Sequence, residues 1–132
     1  MNSKKIIENI TDWLINYSEK SNTNGFVVGV SGGVDSAVTS TLCAKTGLPT
    51  LCLDLPILQS KKEHNRAIKH IDWLKDKYKN TSLKSINLNE SFLSFKNSVE
   101  IDSNKNNLLS LANSRSRLRM TTLYYYAGLN NY

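Results

Sequence analysis

The sequence has few cysteines, no long apolar run and no early pattern of a secretion signal. Its two cysteines, Cys43 and Cys52, lie on a predicted helix and a predicted strand, so we interpret both as buried thiols rather than as a disulfide or a metal site. No apolar run approaches the length of a membrane span. Glu8 brings an acid too early for a signal peptide. We therefore expect a cytoplasmic protein with no membrane partner.

The sequence also lacks linkers, internal repeats and low-complexity tracts. Its 132 residues suffice for one domain with a modest core and are too few for two, so residues 1–132 are expected to form a single domain. The hydrophobic content of 39% and the charged content of 21% are typical of a globular chain. The net charge of +6 permits binding of a polyanion, but the lysines are scattered over a predicted solvated helix. We predict no nucleic-acid partner.

Helical and strand patterns alternate along the chain. Apolar spacing and turn residues predict helices over 3–20, 34–45, 60–78, 91–99 and 108–129, strands over 25–30, 50–55 and 83–88, and a polar loop over 102–107. Strands that alternate with helices predict an α/β fold, a three-layer α/β/α doubly wound parallel sheet. Ligands in such sheets bind at the carboxyl ends of the strands.

Two of the helices carry a predicted inward face. In the helix over 34–45 this face comprises Val34, Ala37, Val38, Thr41 and Leu42. In the helix that begins near Ser60 it comprises Ala67, Ile71, Leu74 and Tyr78. The two histidines, His64 and His70, fall on the lysine-rich part of that helix and are interpreted as surface residues rather than bases.

A glycine-rich turn follows the first predicted strand and opens the next helix. It reads Gly29-Val30-Ser31-Gly32-Gly33-Val34-Asp35-Ser36. Such a turn exposes backbone N–H groups at a helix N-terminus, where they can bind an anion. It is not a Walker A loop, because an aspartate stands where that loop has lysine. A carboxylate beside a phosphate site calls for a cation, so Asp35 indicates Mg²⁺ beside a polyphosphate. The alternative is a tight glycine turn without a ligand.

This turn resembles the pyrophosphate loop, or PP-loop, of the N-type ATP pyrophosphatases, which adenylate a substrate and release pyrophosphate. The resemblance implies the adenine nucleotide alpha hydrolase-like fold. The superfamily includes synthetases of NAD and GMP as well as enzymes that modify tRNA. Those that move sulfur need reactive cysteines, and Cys43 and Cys52 form no Cys-x-x-Cys pair.

The last predicted helix carries three arginines at alternate positions. Helical geometry places Arg115 and Arg119 on one face and Arg117 roughly 160° away, so the three cannot serve one site. They form either a solvated basic face or a set in which one arginine binds a phosphate or carboxylate.

The segment around these arginines resembles ammonia-dependent NAD synthetase. Ser116-Arg117-Leu118-Arg119-Met120 matches an Ala-Arg-x-Arg-Met motif of that family, with Ser for Ala, and Thr121-Thr122-Leu123-Tyr124 continues the match. Gly47-Leu48-Pro49 and Leu55-Pro56 match as well, so the resemblance spans nearly the whole chain.

The resemblance implies a set of site residues. It implies that ATP contacts the loop and the end of the second strand, through Gly29, Val30, Ser31, Gly32, Gly33, Val34, Asp35, Ser36, Leu53, Asp54, Leu55 and Gln59. It implies that Asp35 binds Mg²⁺ and that Arg117 binds deamido-NAD. No protein nucleophile or other catalytic side chain is expected.

The resemblance further implies a ligase of NAD biosynthesis that uses ATP and ammonia to amidate deamido-NAD. A homodimer is expected, because much of the last helix is apolar or aromatic. The chain departs from the family by stopping at Tyr132, before a Gly-Thr-x-Asn-x-x-Glu segment, so it is expected to be roughly the first half of the enzyme. The alternatives are another N-type ATP pyrophosphatase, tRNA-modifying or GMP synthetase-like, and a catalytically incomplete fragment that binds nucleotide or dimerises.

Overall fold

The computed structural model describes residues 2–102 and 104–132 and contains five helices and three strands within them. In chain order these are α1 (Ser3–Lys20), β1 (Phe26–Gly29), α2 (Val34–Lys45), β2 (Thr50–Asp54), α3 (Lys61–Lys77), β3 (Thr81–Ser85), α4 (Asn89–Ser98) and α5 (Leu108–Asn130). Ser103, in the predicted polar loop over 102–107, lies outside the described residues.

The strands form one parallel sheet in the order β1-β2-β3. Val28 pairs with Cys52, and Cys52 pairs in turn with Leu83. Every residue of β2 is buried, as the continuous apolar run of a central parallel strand predicts. The α/β class with a parallel sheet and flanking helices is therefore confirmed.

Each face of the sheet has its own hydrophobic core. Val30 and Cys52 pack with residues of α2 and α3 on one face: Ala44, Ala67, Ile71 and Leu74. Leu51 and Leu53 point to the other face, where they pack with Phe92 of α4 and with the inner side of α5, through Leu111, Leu118, Leu123 and Tyr126. The alternation along β2 thus separates the two cores.

The buried face of α3 agrees with the prediction, whereas that of α2 does not. Ala67, Ile71 and Leu74 are fully buried. In α2, Val34 and Val38 are 74% and 52% exposed, and the buried residues are Ser40, Cys43 and Ala44. Of the predicted face, Ala37, Thr41 and Leu42 are only partly buried. The fully buried Ser40 was not predicted, and its hydroxyl donates to the Ser36 carbonyl at 2.8 Å within the helix.

The third strand begins and ends earlier than predicted. It spans Thr81–Ser85 rather than 83–88, and Leu88 is already the residue before α4. The backbone N–H of Ile86 still donates to Asp54 O at 2.9 Å, and that of Leu88 donates to Pro56 O at 3.1 Å. The alternating apolar residues therefore extend beyond the end of β3. The residues after Ser85 still hydrogen-bond to the chain at and after the end of β2, but they do not have strand geometry.

No helix within residues 2–102 and 104–132 combines the length and the apolarity needed to cross a membrane.

Candidate functional site

A cavity of about 690 Å³ opens at the carboxyl edge of the sheet. It lies where the loop after β1, the end of β2 with its following loop, and the middle of α5 meet. Its lining comprises Gly29, Val30, Ser31, Gly33, Leu53, Leu55, Ile57, Leu58, Gln59, Glu63, Arg66, Arg115, Arg119 and Leu123. Ligands of open α/β sheets bind at this edge, so we call it the carboxyl-edge cavity and treat it as the candidate site.

The glycine-rich loop is held in shape by its two serines. The Ser31 backbone N–H donates to Ser36 Oγ at 3.1 Å, and the Ser36 hydroxyl donates to the Gly33 carbonyl at 3.0 Å. The two hydroxyl oxygens are 3.2 Å apart. Both serines therefore hold the loop against the start of α2.

The two adjacent glycines of the loop meet different requirements. Gly32 has φ +83°, and a Cβ there would lie 2.7 Å from the Glu63 carbonyl oxygen and 3.2 Å from Arg66 Cβ. Gly32 thus allows the loop to lie against α3 and to take a left-handed conformation. Gly33 has φ −89°, and a Cβ there would meet only Ser31 Oγ, at 3.4 Å. Gly33 lines the cavity, where a missing side chain leaves room for a ligand.

The N-terminus of α2 has backbone donors that no side chain caps. Its N-cap residue is Gly33, which provides no side-chain hydrogen bond to the first turn. The backbone N–H groups of Val34, Asp35 and Ser36 have no acceptor within the helix, because the first turn of any helix lacks one. None of these three residues belongs to the cavity lining, so their donors lie beside the cavity, next to Gly33, which does line it.

Asp35 lies on the first turn of α2 with an exposed side chain. Within residues 2–102 and 104–132, no three His, Cys, Asp or Glu side chains come together to hold a metal ion. Mg²⁺ is nevertheless bound in many nucleotide sites by one or two carboxylates, substrate phosphates and water. A single protein carboxylate can bind such an ion only where its other ligands come from elsewhere, as phosphate oxygens and water do.

The end of β2 divides its side chains between the cavity and the sheet. Leu53 and Leu55, two of the residues predicted to contact ATP, line the cavity. Asp54 is 1% exposed and lies away from the lining, where its Oδ2 accepts the Ser85 hydroxyl at 2.7 Å. His64 Nδ1 is 3.1 Å from the same oxygen, in the range of an ion pair but without hydrogen-bond geometry. Asp54 therefore links β2, β3 and α3 just below the cavity.

The two histidines lie near the surface, as predicted, but each side chain has a neighbour within the fold. His64 is partly buried beside Asp54. His70 is also partly buried, with Nε2 2.9 Å from Ser40 Oγ, and burial lowers its pKa. Neither ring belongs to the cavity lining, so neither is a base for chemistry there.

Gln59, another residue predicted to contact ATP, lies in the cavity lining and connects two loops. Its side-chain Nε2 donates to the Ser31 carbonyl at 3.2 Å. The loop between β2 and α3 is thereby held over the glycine-rich loop. Ser60, the next residue, caps α3 by accepting the Glu63 N–H at 3.3 Å, as the capping-box pattern indicates.

Three arginines line the cavity, and the sequence-based list of site residues included none of them. They are Arg66 of α3 and Arg115 and Arg119 of α5, opposed by the single carboxylate of Glu63. A cavity with this charge favours a polyanionic ligand. The spacing of Arg115 and Arg119 placed both on one face of a helix, but it did not indicate that this face pointed to the cavity.

Arg119 is held against the end of β2. Its Nε donates to the Leu55 carbonyl at 2.9 Å, and its pKa is lowered, first by burial and then by the neighbouring charge of Arg115, while Glu63 acts in the opposite direction. The Arg115 guanidinium lies 5.5 Å from the Phe92 ring centroid. The two arginines are thus positioned by protein contacts before a ligand arrives.

Arg117 lies in a different place, as the helical spacing predicted. It lines a separate cavity of about 350 Å³ between α4 and α5, with Phe92, Phe95 and Thr121 among its neighbours. Its Nη1 is 3.7 Å from Met120 Sδ. The structure therefore separates Arg117 from the residues predicted to bind ATP.

Comparisons with known proteins agree along the whole chain. A sequence model of the family described as NAD synthase matches residues 6–132. A relative from Finegoldia magna named NH(3)-dependent NAD(+) synthetase is 37% identical over 138 aligned residues, which cover 100% of this chain and 52% of the relative. A relative of the same name from Mesoplasma florum is 34% identical, with coverages of 100% and 52%. The chain spans about half the length of the curated relatives it matches.

Solved structures of similar proteins share the fold. An NMN synthetase from Francisella tularensis superposes with a TM-score of 0.86 at 32% identity, covering 99% of this chain and 52% of that protein. An NH3-dependent NAD synthetase from Campylobacter jejuni, solved with a nitrate ion, gives a TM-score of 0.85 at 30% identity, with coverages of 99% and 54%. Sequence and structure therefore agree that the chain belongs to the NAD synthase family.

Proposed function

We propose that this chain supplies the ATP-binding part of a ligase that converts deamido-NAD to NAD, with ATP and ammonia as co-substrates. The single observation that carries the proposal is the carboxyl-edge cavity, in which a phosphate-type loop faces three arginines, in a chain matched by the NAD synthase family over residues 6–132. Residues 1–132 are proposed to act as one domain. The free thiols Cys43 and Cys52 accord with a cytoplasmic setting.

The proposed reaction has two steps. A carboxylate oxygen of the nicotinate ring attacks the α-phosphorus of ATP, the bond from that phosphorus to the bridging oxygen breaks, and pyrophosphate leaves. The nitrogen of ammonia then attacks the carbonyl carbon of the acyl-adenylate, AMP leaves with the electron pair of its oxygen, and a proton is lost to solvent. Neither step requires a protein nucleophile, so catalysis depends on positioning and on stabilising negative charge.

The residues of the cavity are suited to those two tasks. The backbone N–H groups at the start of α2 and the hydroxyl of Ser31 would bind phosphate oxygens, whereas the Ser36 hydroxyl donates to the Gly33 carbonyl and holds the loop in shape. Arg66 and Arg115 would neutralise the charge that collects on pyrophosphate. Leu53 and Leu55 offer an apolar surface to the adenosine.

Asp35 is the residue proposed to hold Mg²⁺ that accompanies ATP. Its exposed carboxylate on the first turn of α2 is next to the loop that would hold the phosphates. Bound there, the ion would withdraw electron density from the phosphate oxygens and make pyrophosphate a better leaving group.

Arg117 is proposed to bind deamido-NAD at a homodimer interface. Its cavity lies on the side of α5 opposite to Arg115 and Arg119, and a neighbouring stretch of that helix is apolar and exposed. An exposed apolar surface of this kind supports a partner subunit. Because one structural neighbour is named an NMN synthetase, the corresponding mononucleotide carboxylate is the competing substrate to be assayed beside deamido-NAD.

A second proposal concerns the 132-residue chain by itself. It matches about half of each relative's length, which supports a unit that binds nucleotide without completing the reaction alone. An assay of NAD formation would compare this chain with a fusion of it to the remaining part of the Finegoldia magna relative. Turnover by the fusion only is expected. Robust turnover by the chain alone would contradict this second proposal.

The primary test is calorimetric titration of the chain with ATP in the presence and absence of Mg²⁺. Asp35→Asn is expected to lower the Mg²⁺-dependent affinity for ATP by about 10- to 100-fold. Asp72→Asn serves as the control, because Asp72 is also an exposed aspartate on a helix but lies outside the cavity. Equal affinities for the unmodified chain and the Asp35 variant would refute the assignment of Asp35.

A further inference from the structure

Asp54, at the end of β2, is a fully buried carboxylate with few partners. It is 1% exposed, and its Oδ2 accepts a hydrogen bond from the Ser85 hydroxyl at 2.7 Å. A buried carboxylate is stable as an anion only where hydrogen bonds or an opposite charge replace the lost water. Among residues 2–102 and 104–132, His64 is the one side chain that can carry a positive charge within 4 Å of the Asp54 oxygens.

The contact between these two side chains requires a proton. His64 Nδ1 lies 3.1 Å from Asp54 Oδ2, and it is buried and makes no hydrogen bond. Two lone pairs that faced each other at this distance would repel, so either the ring nitrogen or the carboxyl group must carry a proton. Histidine is also the side chain that ordinarily changes charge between pH 5 and 8. Asp54 and His64 therefore titrate as one coupled pair, whose net charge changes from −1 to zero when it takes up a further proton.

The other charged groups around His64 act on it less directly. On α3 itself, Lys61 lies one turn before His64 and is exposed. On β3, the Lys84 side chain points to the opposite face of the sheet. On α2, Ser40 meets α3 at His70, more than one turn beyond His64. The carboxylate at the end of β2 is thus the charge closest to this ring.

The pair lies directly behind the wall of the carboxyl-edge cavity. Leu53 and Leu55, on either side of Asp54, both line the cavity, and so does Glu63, the residue before His64. Buried charges are screened less than surface charges, so a polyanion in the cavity experiences the charge of the pair. A charge of −1 opposes such a ligand, whereas a neutral pair does not.

We infer that Asp54 and His64 take up a proton when a polyphosphate such as that of ATP enters the carboxyl-edge cavity, and thereby couple binding of the ligand to pH. This inference rests on the proposed function, since it concerns the regulation of that site. Neither side chain lines the cavity, so the pair acts through its charge and not by contact with the ligand. By thermodynamic linkage, a ligand that favours the protonated pair is itself bound more tightly by it. Affinity for ATP therefore falls as the pH rises and the pair loses its proton.

The test measures proton uptake on binding of ATP, by calorimetry at pH 7 and fixed Mg²⁺ concentration in buffers that differ in ionisation enthalpy. His64→Asn keeps a side-chain N–H that can donate to Asp54 but cannot change its charge. The unmodified chain is expected to take up about half a proton more per ligand than His64→Asn, the value for a tenfold linkage between ligand and proton. Protonation of ATP itself contributes equally to both proteins and cancels in the difference. His70→Asn, which alters the other histidine of α3, is the control and is expected to behave like the unmodified chain.

Affinities at pH 6 and pH 8 give a second readout, which a merely structural role would not move. The ATP affinity of the unmodified chain, relative to that of His64→Asn, is expected to be about three- to tenfold higher at pH 6 than at pH 8. Asp54→Asn, which removes the carboxylate, is expected to abolish the extra proton uptake as well. Extra uptake that persists in His64→Asn or Asp54→Asn, or that His70→Asn abolishes, would overturn the inference alone. An unmodified chain that does not bind ATP would overturn the proposed function and the inference with it.

Discussion

At the scale of single residues, the two adjacent glycines of the glycine-rich loop, Gly32 and Gly33, have different structural roles. Gly32 lies against α3 and adopts a conformation that side chains disfavour, whereas Gly33 lies open to the cavity in an ordinary conformation. The motif alone indicated that both glycines serve the anion. Only the packing of the loop on Glu63 and Arg66 distinguishes a glycine needed for the fold from one needed for the ligand.

The two glycines give a matched pair of substitutions. Gly32→Ala is expected to lower the free energy of unfolding by about 1–3 kcal/mol, because the new methyl group meets backbone at a positive φ. Gly33→Ala is expected to leave stability within about 1 kcal/mol and to weaken binding of tripolyphosphate, since its methyl group enters the cavity. Urea unfolding and calorimetry measure the two effects. Equal destabilisation by both variants would contradict this division.

Arg117 is a second residue whose role is open to a direct test. In the fusion described above, Arg117→Ala is expected to raise the KM for deamido-NAD about ten- to a hundred-fold, the cost of one charge-assisted contact, with little change in the KM for ATP. Arg119→Ala is the control from the cavity side of the same helix, and its larger effect should fall on ATP. An unchanged KM for deamido-NAD in the Arg117 variant would exclude the assignment.

At the scale of elements, the positions of the helices and strands were predicted well from the sequence. The buried faces of the helices were predicted correctly for some helices and not for others. The apolar periods of α1, α3 and β2 are strong, so these elements and the buried face of α3 were predicted correctly. The face of α2 was wrong because its buried positions are small or polar: Ser40, Cys43 and Ala44. The sequence also could not show how α5 packs on the face of the sheet, and this packing brings Arg115 and Arg119 to the cavity.

The cysteines of α2 and β2 predict how stability changes at alkaline pH. Burial raises the pKa of the Cys43 thiol from 9.0 to about 11, and burial, with the nearby Cys43, raises the pKa of the Cys52 thiol to about 12. Unfolded thiols therefore ionise first, and the folded state holds more protons above pH 9. The free energy of unfolding is expected to fall as the pH rises from 9 towards 11, by up to about 1.4 kcal/mol per pH unit for each thiol.

Urea unfolding at pH 8, 9 and 10 measures that decline. The double variant Cys43→Ala and Cys52→Ala is the control, because it lacks both ionising groups and should show a shallower decline over the same range. Parallel declines for the two proteins would indicate that the lysines and tyrosines of the chain, and not its thiols, account for the alkaline loss of stability.

At the scale of the whole molecule, α5 is the element that the domain covers least. Its inner residues pack on the sheet, but Leu108, Tyr124, Tyr125 and Leu129 are between 64% and 77% exposed. The sequence showed an apolar helix without showing which side was covered, since apolar residues occur all around it. The exposed side is the surface proposed for dimerisation.

Light scattering tests that surface. The unmodified chain is expected to have the mass of a dimer, and Tyr124→Asp is expected to shift it to a monomer by placing a charge on an apolar interface. Trp73→Asp is the control, because Trp73 is 46% exposed on α3, and α3 packs on the opposite face of the sheet from α5. A monomeric unmodified chain would argue against the dimer, and dissociation by the Trp73 variant only would move the interface to α3.

Because α5 contributes both to the cavity and to the exposed surface proposed for dimerisation, the same helix takes part in ATP binding and in subunit association. Arg119 bonds to the end of β2 at the cavity, and Tyr124 lies just over one helical turn further along the same helix. If ATP binding shifts this helix, it changes the association constant of the subunits by some factor. By thermodynamic reciprocity, association of the subunits must change the affinity for ATP by the same factor. A chain diluted below its dissociation constant would then bind ATP more weakly or more tightly than the concentrated protein, and the ratio of the two affinities would measure the coupling.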